Sequence, residues 1–254
     1  MTFFEMRNIM EPLYTQDYEI TDIAVDRYGR LKTSMILFLA QEMAGRHCNL
    51  LSVDYDTLAA KRMFWAVTRH RVQITRLPVR GETIRIETWP MPTTRVAYPR
   101  SVIAYDQAGK ECFRAISLWV LMDLDKRNMI LPGKSGISVI GTLRGLELDT
   151  PNGLVAKELR SHRSRTVCYT DLDRNGHMNN TTYLEWIDDL LPSQFHKGHH
   201  PREITVCYLN ESREGQELQL SWDFLQEGTL QVDAHRMGEE KLERVFSARF
   251  LYDL

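Results

Sequence analysis

Four side chains in the second half of this 254-residue chain are of the types needed for acid–base chemistry on an acyl compound. Three fall in the stretch Asp171-Leu172-Asp173-Arg174-Asn175-Gly176-His177-Met178-Asn179-Asn180, and the fourth is Glu211. His177 can act as acid or base near neutral pH. Asn175 can fix its orientation or donate to a developing oxyanion. Asp173 or Glu211 can activate a water or attack directly. Asn179-Asn180-Thr181 reads as a helix start, where free N–H groups favour negative charge and would polarise a carbonyl. Hydrolysis of an activated acyl compound fits these parts. Taken singly, each has a plainer reading: Asp-Arg-Asn-Gly is ordinary turn chemistry, Asn179 or Asn180 an ordinary cap, Glu211 a solvated loop charge.

A decayed copy of the stretch near the N-terminus weighs for chemistry. Asp26-Arg27-Tyr28-Gly29-Arg30-Leu31 repeats the pattern Asp-Arg-x-Gly-x-apolar, with Asp26 and Asp173 147 positions apart. Tyr28 and Arg30 stand where the later copy has Asn175 and His177. Matching the turn glycines Gly81 and Gly215 puts Leu77 opposite Glu211. The polar set is complete in one copy only, which implies a duplicated protein with a single working site.

The elements that must carry these groups repeat as well. Ile36, Leu39, Ala40 and Met43, and then Tyr183, Trp186, Ile187 and Leu190, recur at i, i+3, i+4, i+7 and predict two equivalent helices with one buried face each. Pro192 ends the second. Alternating segments follow in each half: Val72–Ile74, Thr83–Trp89, Arg100–Tyr105 and Phe113–Met122, then Ile204–Tyr208, Glu217–Phe224, Leu230–Ala234 and Val245–Tyr252. Period-two patterning predicts antiparallel strands buried on one face. Asp106-Gln-Ala-Gly109, Gly215 and Met237-Gly238 cue turns. Glycines and prolines crowd residues 133–158, which read as a linker. The predicted architecture is α+β: two copies of a helix packed on an antiparallel sheet, spanning 1–132 and 159–254.

Composition narrows the function classes. A hydrophobic content of 43% and a charged content of 26% are ordinary for a soluble globular protein, and a net charge of −2 gives no reason to expect nucleic acid or a membrane surface. No apolar run approaches the roughly 18–20 residues of a membrane span. The N-terminal residues lack the layout of a secretion signal or transit peptide. Cys48, Cys112, Cys168 and Cys207 are scattered, with neither zinc-ligand nor disulfide spacing, so a reducing cytoplasm is expected, with no metal and no cofactor. Gly133-Lys134-Ser135 lacks the first glycine of a phosphate loop, where Asn128 stands. His196, His199 and His200 read as a polar loop.

The stretch Asp171-Leu-Asp173-x-Asn175-x-His177-Met-Asn179-Asn180-x-x-Tyr183-x-x-Trp186 closely resembles the signature of acyl–acyl-carrier-protein thioesterases of plants and bacteria. Trp65-Ala-Val-Thr-Arg69, Glu87-Thr-Trp89 and Ser117-Leu-Trp119-Val120 are similar to that family's first half, and Tyr208-Leu-Asn-Glu211-Ser212 to its second catalytic segment. The resemblance implies two tandem hotdog units, each a curved antiparallel sheet wrapped around a long central helix. It implies release of fatty acid from the thioester on acyl carrier protein, with catalytic roles for Asp173, Asn175, His177 and Glu211. Asn179, Asn180 and Trp186 are expected to contact substrate. The first helix, from about Ser34 to Leu50 with Ile36, Leu39 and Met43, is expected to line an acyl tunnel. Plant members carry a cysteine after the glutamate; Ser212 stands here, so either the serine substitutes for it or, the favoured expectation, that position is not the nucleophile. Carrier proteins are acidic, and Arg69, Arg71, Arg76 and Arg80, or Arg160, Arg163 and Arg165, are candidate docking clusters. A monomer or homodimer is expected. An acyl-coenzyme A thioesterase, a hotdog dehydratase and a non-catalytic acyl-binding protein stay open as alternatives.

Overall fold

The computed structural model describes residues 12–238 and 242–253. Ten strands form one path of antiparallel pairing. In the first half these are β1 (Tyr14–Glu19), β2 (Met63–Ile74), β3 (Thr83–Pro90), β4 (Tyr98–Tyr105) and β5 (Glu111–Asp123). A short β6 (Met129–Ile130) pairs only with β5. The second half supplies β7 (Ser161–Thr166), β8 (Pro201–Tyr208), β9 (Glu217–Gln226), β10 (Thr229–Met237) and β11 (Leu242–Tyr252). The order is β1-β3-β4-β5-β2-β8-β11-β10-β9-β7, so the first-half order runs in reverse through the second. The halves join where β2 pairs with β8, from Arg69 opposite Cys207 to Gln73 opposite Glu203. This is a tandem hotdog arrangement fused into one continuous sheet.

Alternation places Val72, Ile84, Ile86, Val102, Phe113, Ile204, Val232, Phe246 and Phe250 on the inner face, where all are buried in one core. Helix α1 (Thr33–Leu50) closes the first half by burying Ile36, Leu37, Leu39, Ala40 and Met43 against that face. A second short helix, α2 (Tyr55–Ala60), is capped by Asp54, whose Oδ1 accepts from Asp56 N and Thr57 N, both at 3.0 Å. After it the chain forms a single turn, α3 (Pro132–Ser135).

The second helix departs from the long one expected. It is α4 (Thr182–Asp188), seven residues, followed by a separate α5 (Ser193–Gly198). Pro192 lacks the N–H that a continuing helix needs, and here it is the N-cap of α5 with extended backbone. Residues 136–160 lie as an irregular strap across the outer face of the sheet. Arg69 donates to Pro151 O (3.2 Å), Arg244 to Leu154 O (3.0 Å) and Gln231 to Val155 O (2.9 Å), while Leu148, Leu154 and Leu159 are buried. No helix is long and apolar enough to cross a membrane among the described residues.

Candidate active site

The turn that carries the candidate residues is built by its aspartate. Asp173 Oδ1 accepts from Asn175 N (2.8 Å) and His177 N (3.2 Å), while Gly176, at φ 74°, donates to Asp173 O (3.0 Å). The copy at Asp26 has the same bonds: Oδ1 accepts from Tyr28 N (2.8 Å) and Arg30 N (3.0 Å), and Gly29 N donates to Asp26 O (2.9 Å). A third copy at Asp106 accepts from Ala108 N (3.0 Å) and Lys110 N (2.8 Å). The aspartate is therefore a turn-former first. What distinguishes Asp173 is that its Oδ2 also accepts from Asn175 Nδ2 (3.3 Å), orienting that amide.

Glu211 reaches the turn through a backbone link. Met178 N donates to Ser212 O (2.8 Å), just as Leu31 N donates to Pro78 O (2.8 Å) in the first half. The same link thus sets Glu211 beside His177 and leaves Leu77 beside Arg30. His177 is buried at 8% exposure, and its Nε2 lies 3.1 Å from Glu211 Oε2. Burial lowers the pKa of His177 below its usual 6.5, and Arg127 adds to this; Glu211 and Asp173 oppose it. The four expected residues converge, with Asn175 exposed and Glu211 partly exposed.

A fifth group joins them from the other half. Arg127 Nη2 lies 3.2 Å from His177 Nε2 and 3.7 Å from Glu211 Oε2, with its guanidinium 4.9 Å from the centre of the Phe64 ring. It stands at φ 54° at the end of a tight turn in which Asp123 Oδ1 accepts from Asp125 N and Lys126 N. One nitrogen, Nε2, thus faces a donor and an acceptor. Unprotonated, it accepts from Arg127; protonated, it donates to Glu211. Arg127 lies 50 residues before His177 in a segment with no motif, so nothing in the sequence pointed to it.

Beside this cluster a cavity of about 370 Å³ opens between α1 and strands β2, β4 and β5. Trp65, Tyr98 and Trp119 line it, together with Gln41, Gly45, Cys48 and Arg100. Arg174, from the Asp173 turn, also lines it and covers the Tyr55 ring at 3.6 Å. Among the described residues no cluster of three His, Cys, Asp or Glu is placed to hold a metal ion.

Comparison with known proteins settles the family. The acyl-ACP thioesterase N-terminal domain family matches residues 11–131, and the C-terminal domain family matches residues 156–247. The chain belongs to the acyl-ACP thioesterases. Among curated relatives, a chloroplastic acyl-[acyl-carrier-protein] hydrolase of Cuphea viscosissima is 25% identical over 240 residues, covering 87% of this chain and 55% of the relative. A chloroplastic palmitoyl-acyl carrier protein thioesterase of Gossypium hirsutum is 26% identical over 220 residues, covering 78% of this chain and 52% of the relative. The chain thus spans about half the length of these relatives. Among solved structures, an acyl-ACP thioesterase from Bacteroides thetaiotaomicron superposes with a TM-score of 0.83 at 24% identity, covering 95% of this chain and 98% of that one. The 12:0-ACP thioesterase from Umbellularia californica gives 0.80 at 20% identity, covering 96% and 98%. These two likenesses establish the fold.

In this member of the family the other expected contacts are placed differently from the four. Asn179 Oδ1 accepts from Thr181 N and Thr181 Oγ1, both at 3.0 Å, and Asn180 O accepts from the Tyr208 hydroxyl (2.9 Å), so both hold the start of α4. Trp186 is 1% exposed, with its indole donating to Asp171 at 3.4 Å. Ile36, Leu39 and Met43 are packed in the core and do not line the 370 Å³ cavity; the neighbouring face of α1 does. Ser212 Oγ, buried, accepts from the Tyr183 hydroxyl (2.9 Å) and points into the core. Five of the seven arginines in the basic clusters are paired with carboxylates: Arg71 with Glu203, Arg76 with Glu82 and Asp106, Arg80 with Asp22, Arg160 with Asp223, and Arg165 with Asp189; Arg69 and Arg163 donate to the backbone oxygens of Pro151 and Asp189.

Proposed function

We propose that the chain hydrolyses fatty acyl thioesters carried on acyl carrier protein, releasing free fatty acid and holo carrier protein. The observation that carries this is the contact of His177 Nε2 with Glu211 Oε2 at 3.1 Å, in a turn whose copy has arginine and leucine instead. Glu211, bridged to His177, takes a proton from water as the water oxygen bonds to the thioester carbon. The carbonyl electron pair moves onto oxygen, where the Asn175 amide donates. Collapse breaks the C–S bond, and the thiolate leaves with the proton delivered through His177. Asp173 keeps Asn175 and His177 in place.

Direct attack by Asp173 through an anhydride is disfavoured by geometry: one of its oxygens accepts two backbone N–H groups and the other the Asn175 amide. A single turnover in ¹⁸O-water tests this. The label should appear in the released acid alone; label in a protein carboxylate would contradict water attack. The Cuphea viscosissima relative is an acyl-[acyl-carrier-protein] hydrolase, which supports the carrier-bound substrate. The test is free-thiol release from matched carrier-protein and coenzyme A thioesters. Carrier thioesters should be cleaved faster; equal or faster cleavage of coenzyme A thioesters would favour the acyl-coenzyme A reading. The half with the cavity is the acyl-binding unit in this reading, and the half with His177 the catalytic one. Four free cysteines support a reducing cytoplasm. The β2–β8 pairing lets one chain supply both parts, which supports a functional monomer.

A further inference from the structure

The 370 Å³ cavity holds a charge for which an unsubstituted alkyl chain has no use. Arg100 lines it yet is only 5% exposed. Its Nη1 lies 3.0 Å from His47 Nδ1 and 3.2 Å from Thr88 Oγ1, and its guanidinium also interacts with the Cys48 side chain; none of these partners is a carboxylate. Among the described residues it forms no ion pair with a carboxylate. The two acids that share the cavity wall are engaged elsewhere: Glu42 pairs with Arg46 at 2.9 Å, and Asp54 caps α2. A buried cation without a counter-ion is costly and calls for an acceptor.

A second donor stands beside it in the same wall. Gln41 Nε2 is buried and has no hydrogen-bond partner among the described residues. The aromatic donors of the cavity, by contrast, are satisfied by the protein. Trp65 donates to Val53 O (2.8 Å), Trp119 to Ser117 Oγ (2.8 Å), and the Tyr98 hydroxyl bonds Ser135 Oγ (2.8 Å). The lining is therefore an aromatic sleeve whose buried wall carries spare or underused donors on Arg100 and Gln41.

We propose that the cavity takes acyl chains bearing an oxygen acceptor away from the thioester (a hydroxyl, oxo or carboxyl group), which Arg100 and Gln41 bind. This rests on the thioesterase reading above and narrows its substrate class. A site built to donate to a substrate oxygen rejects the analogue that lacks it far more strongly than an apolar pocket rejects an extra methylene.

The test separates binding from turnover. Non-hydrolysable amide analogues of acyl-pantetheine, equal in chain length, would be prepared unsubstituted and with hydroxyl, oxo or terminal carboxyl groups at successive positions. Quenching of Trp65 and Trp119 reads occupancy. At one or more positions an oxygenated analogue should bind at least ~10-fold more tightly than the plain chain. Gln41→Leu should cut that ratio several-fold, and Arg100→Met should abolish it. Because Arg100→Met removes a buried group and risks the fold, Gln41→Leu alone suffices. Plain chains binding as tightly as every oxygenated one, an unchanged ratio in Gln41→Leu, or no binding of any oxygenated analogue would each overturn the proposal. An oxygen preference in binding without any thioester cleavage would sink the hydrolase reading and leave this one standing.

Discussion

The two halves place a helix at equivalent positions, continuous over 18 residues in the first and broken after seven in the second, and the residues around the two resulting cavities differ. At the 147-residue offset Gln41, Gly45 and Cys48 in the first half correspond to Asp188, Pro192 and Phe195 in the second. Around the first set the cavity is lined by Trp65, Trp119 and Tyr98 and adjoins the catalytic turn. Around the second set a cavity of about 360 Å³ persists, but it is lined by Asp26, Arg30, Asp188 and three histidines. Phe195 packs on Tyr252, which lines this cavity, at 5.0 Å and on Phe224 at 5.8 Å. The turns show the reverse pattern. His177 and Asn175 sit in the half whose helix is broken, whereas Tyr28 and Arg30 bond the backbone of α5 and its neighbourhood. Each turn faces the opposite half, so in the proposed reading one composite site combines a working turn with the aromatic-lined cavity, while the turn of the other bonds the backbone of α5. On that reading, duplication left the fold intact and let the two sites specialise.

If that division is right, the largest effect comes from the turn. Glu211→Gln should lower kcat/KM for carrier-bound thioester by ~10²–10⁴, with the thermal midpoint little changed, because Glu211 is partly exposed and outside the core. Activity within tenfold of wild type would break the assignment. Next is the sleeve. Cys48→Phe, which copies Phe195 into the first half, should reduce hydrolysis of long acyl chains ~10-fold or more while short chains are spared. Equal loss across a chain-length series would show damage rather than blockage.

Arg127 sharpens the comparison because it enters the catalytic turn from the sleeve-bearing half. Burial keeps His177 below its ordinary pKa and Arg127 adds to this, so the base form of His177 persists below pH 6.5 in the wild type. Removing the cation in Arg127→Ala should move the acidic limb of the kcat/KM profile to higher pH and cost under ~10-fold at the plateau. An unmoved limb would reduce Arg127 to packing on Phe64. The smallest effect belongs to the second cavity. Burial raises the Asp188 carboxyl to about 6. A folded pKa above the unfolded value means the charged form is penalised: the penalty is absent well below pH 4, grows between pH 4 and 6, and is full above 6. Asp188→Asn should therefore stabilise the chain by roughly 1–2 kcal/mol at pH 7.5 and hardly at all at pH 4. Stabilisation independent of pH would contradict this.

Much of this was legible in the sequence, for physical reasons that also mark its limits. The duplicated turn, the apolar stripes of α1 and α4 and the inner-facing strands all declare themselves by spacing, because burial repeats with the period of the element. The break after α4 was announced by Pro192. The edge strands were not legible: β7 is Ser-His-Arg-Ser-Arg-Thr, exposed along its length, and carries no alternation to read. Nor was α2, which is six residues long and rests on the Asp54 cap. At the site, Asn175, His177 and Glu211 stood out through their replacement in the copy. Arg127 did not, since a tertiary contact across the two halves brings it there. The apolar stripe of α1 pointed to Ile36, Leu39 and Met43, but the strongest stripe marks the face that packs. The cavity is lined by the adjoining face, where Gln41, Gly45 and Cys48 break the apolar pattern.

The central claim is that one of two equivalent turns works. The most direct measurement is free-thiol release from a fatty acyl carrier protein by wild type, His177→Ala and Tyr28→Phe, assayed side by side on folded protein. The account predicts release by wild type and Tyr28→Phe at similar rates, and a fall of ~10²–10⁴ in His177→Ala. Retained activity in His177→Ala, or an equal loss in Tyr28→Phe, would contradict it.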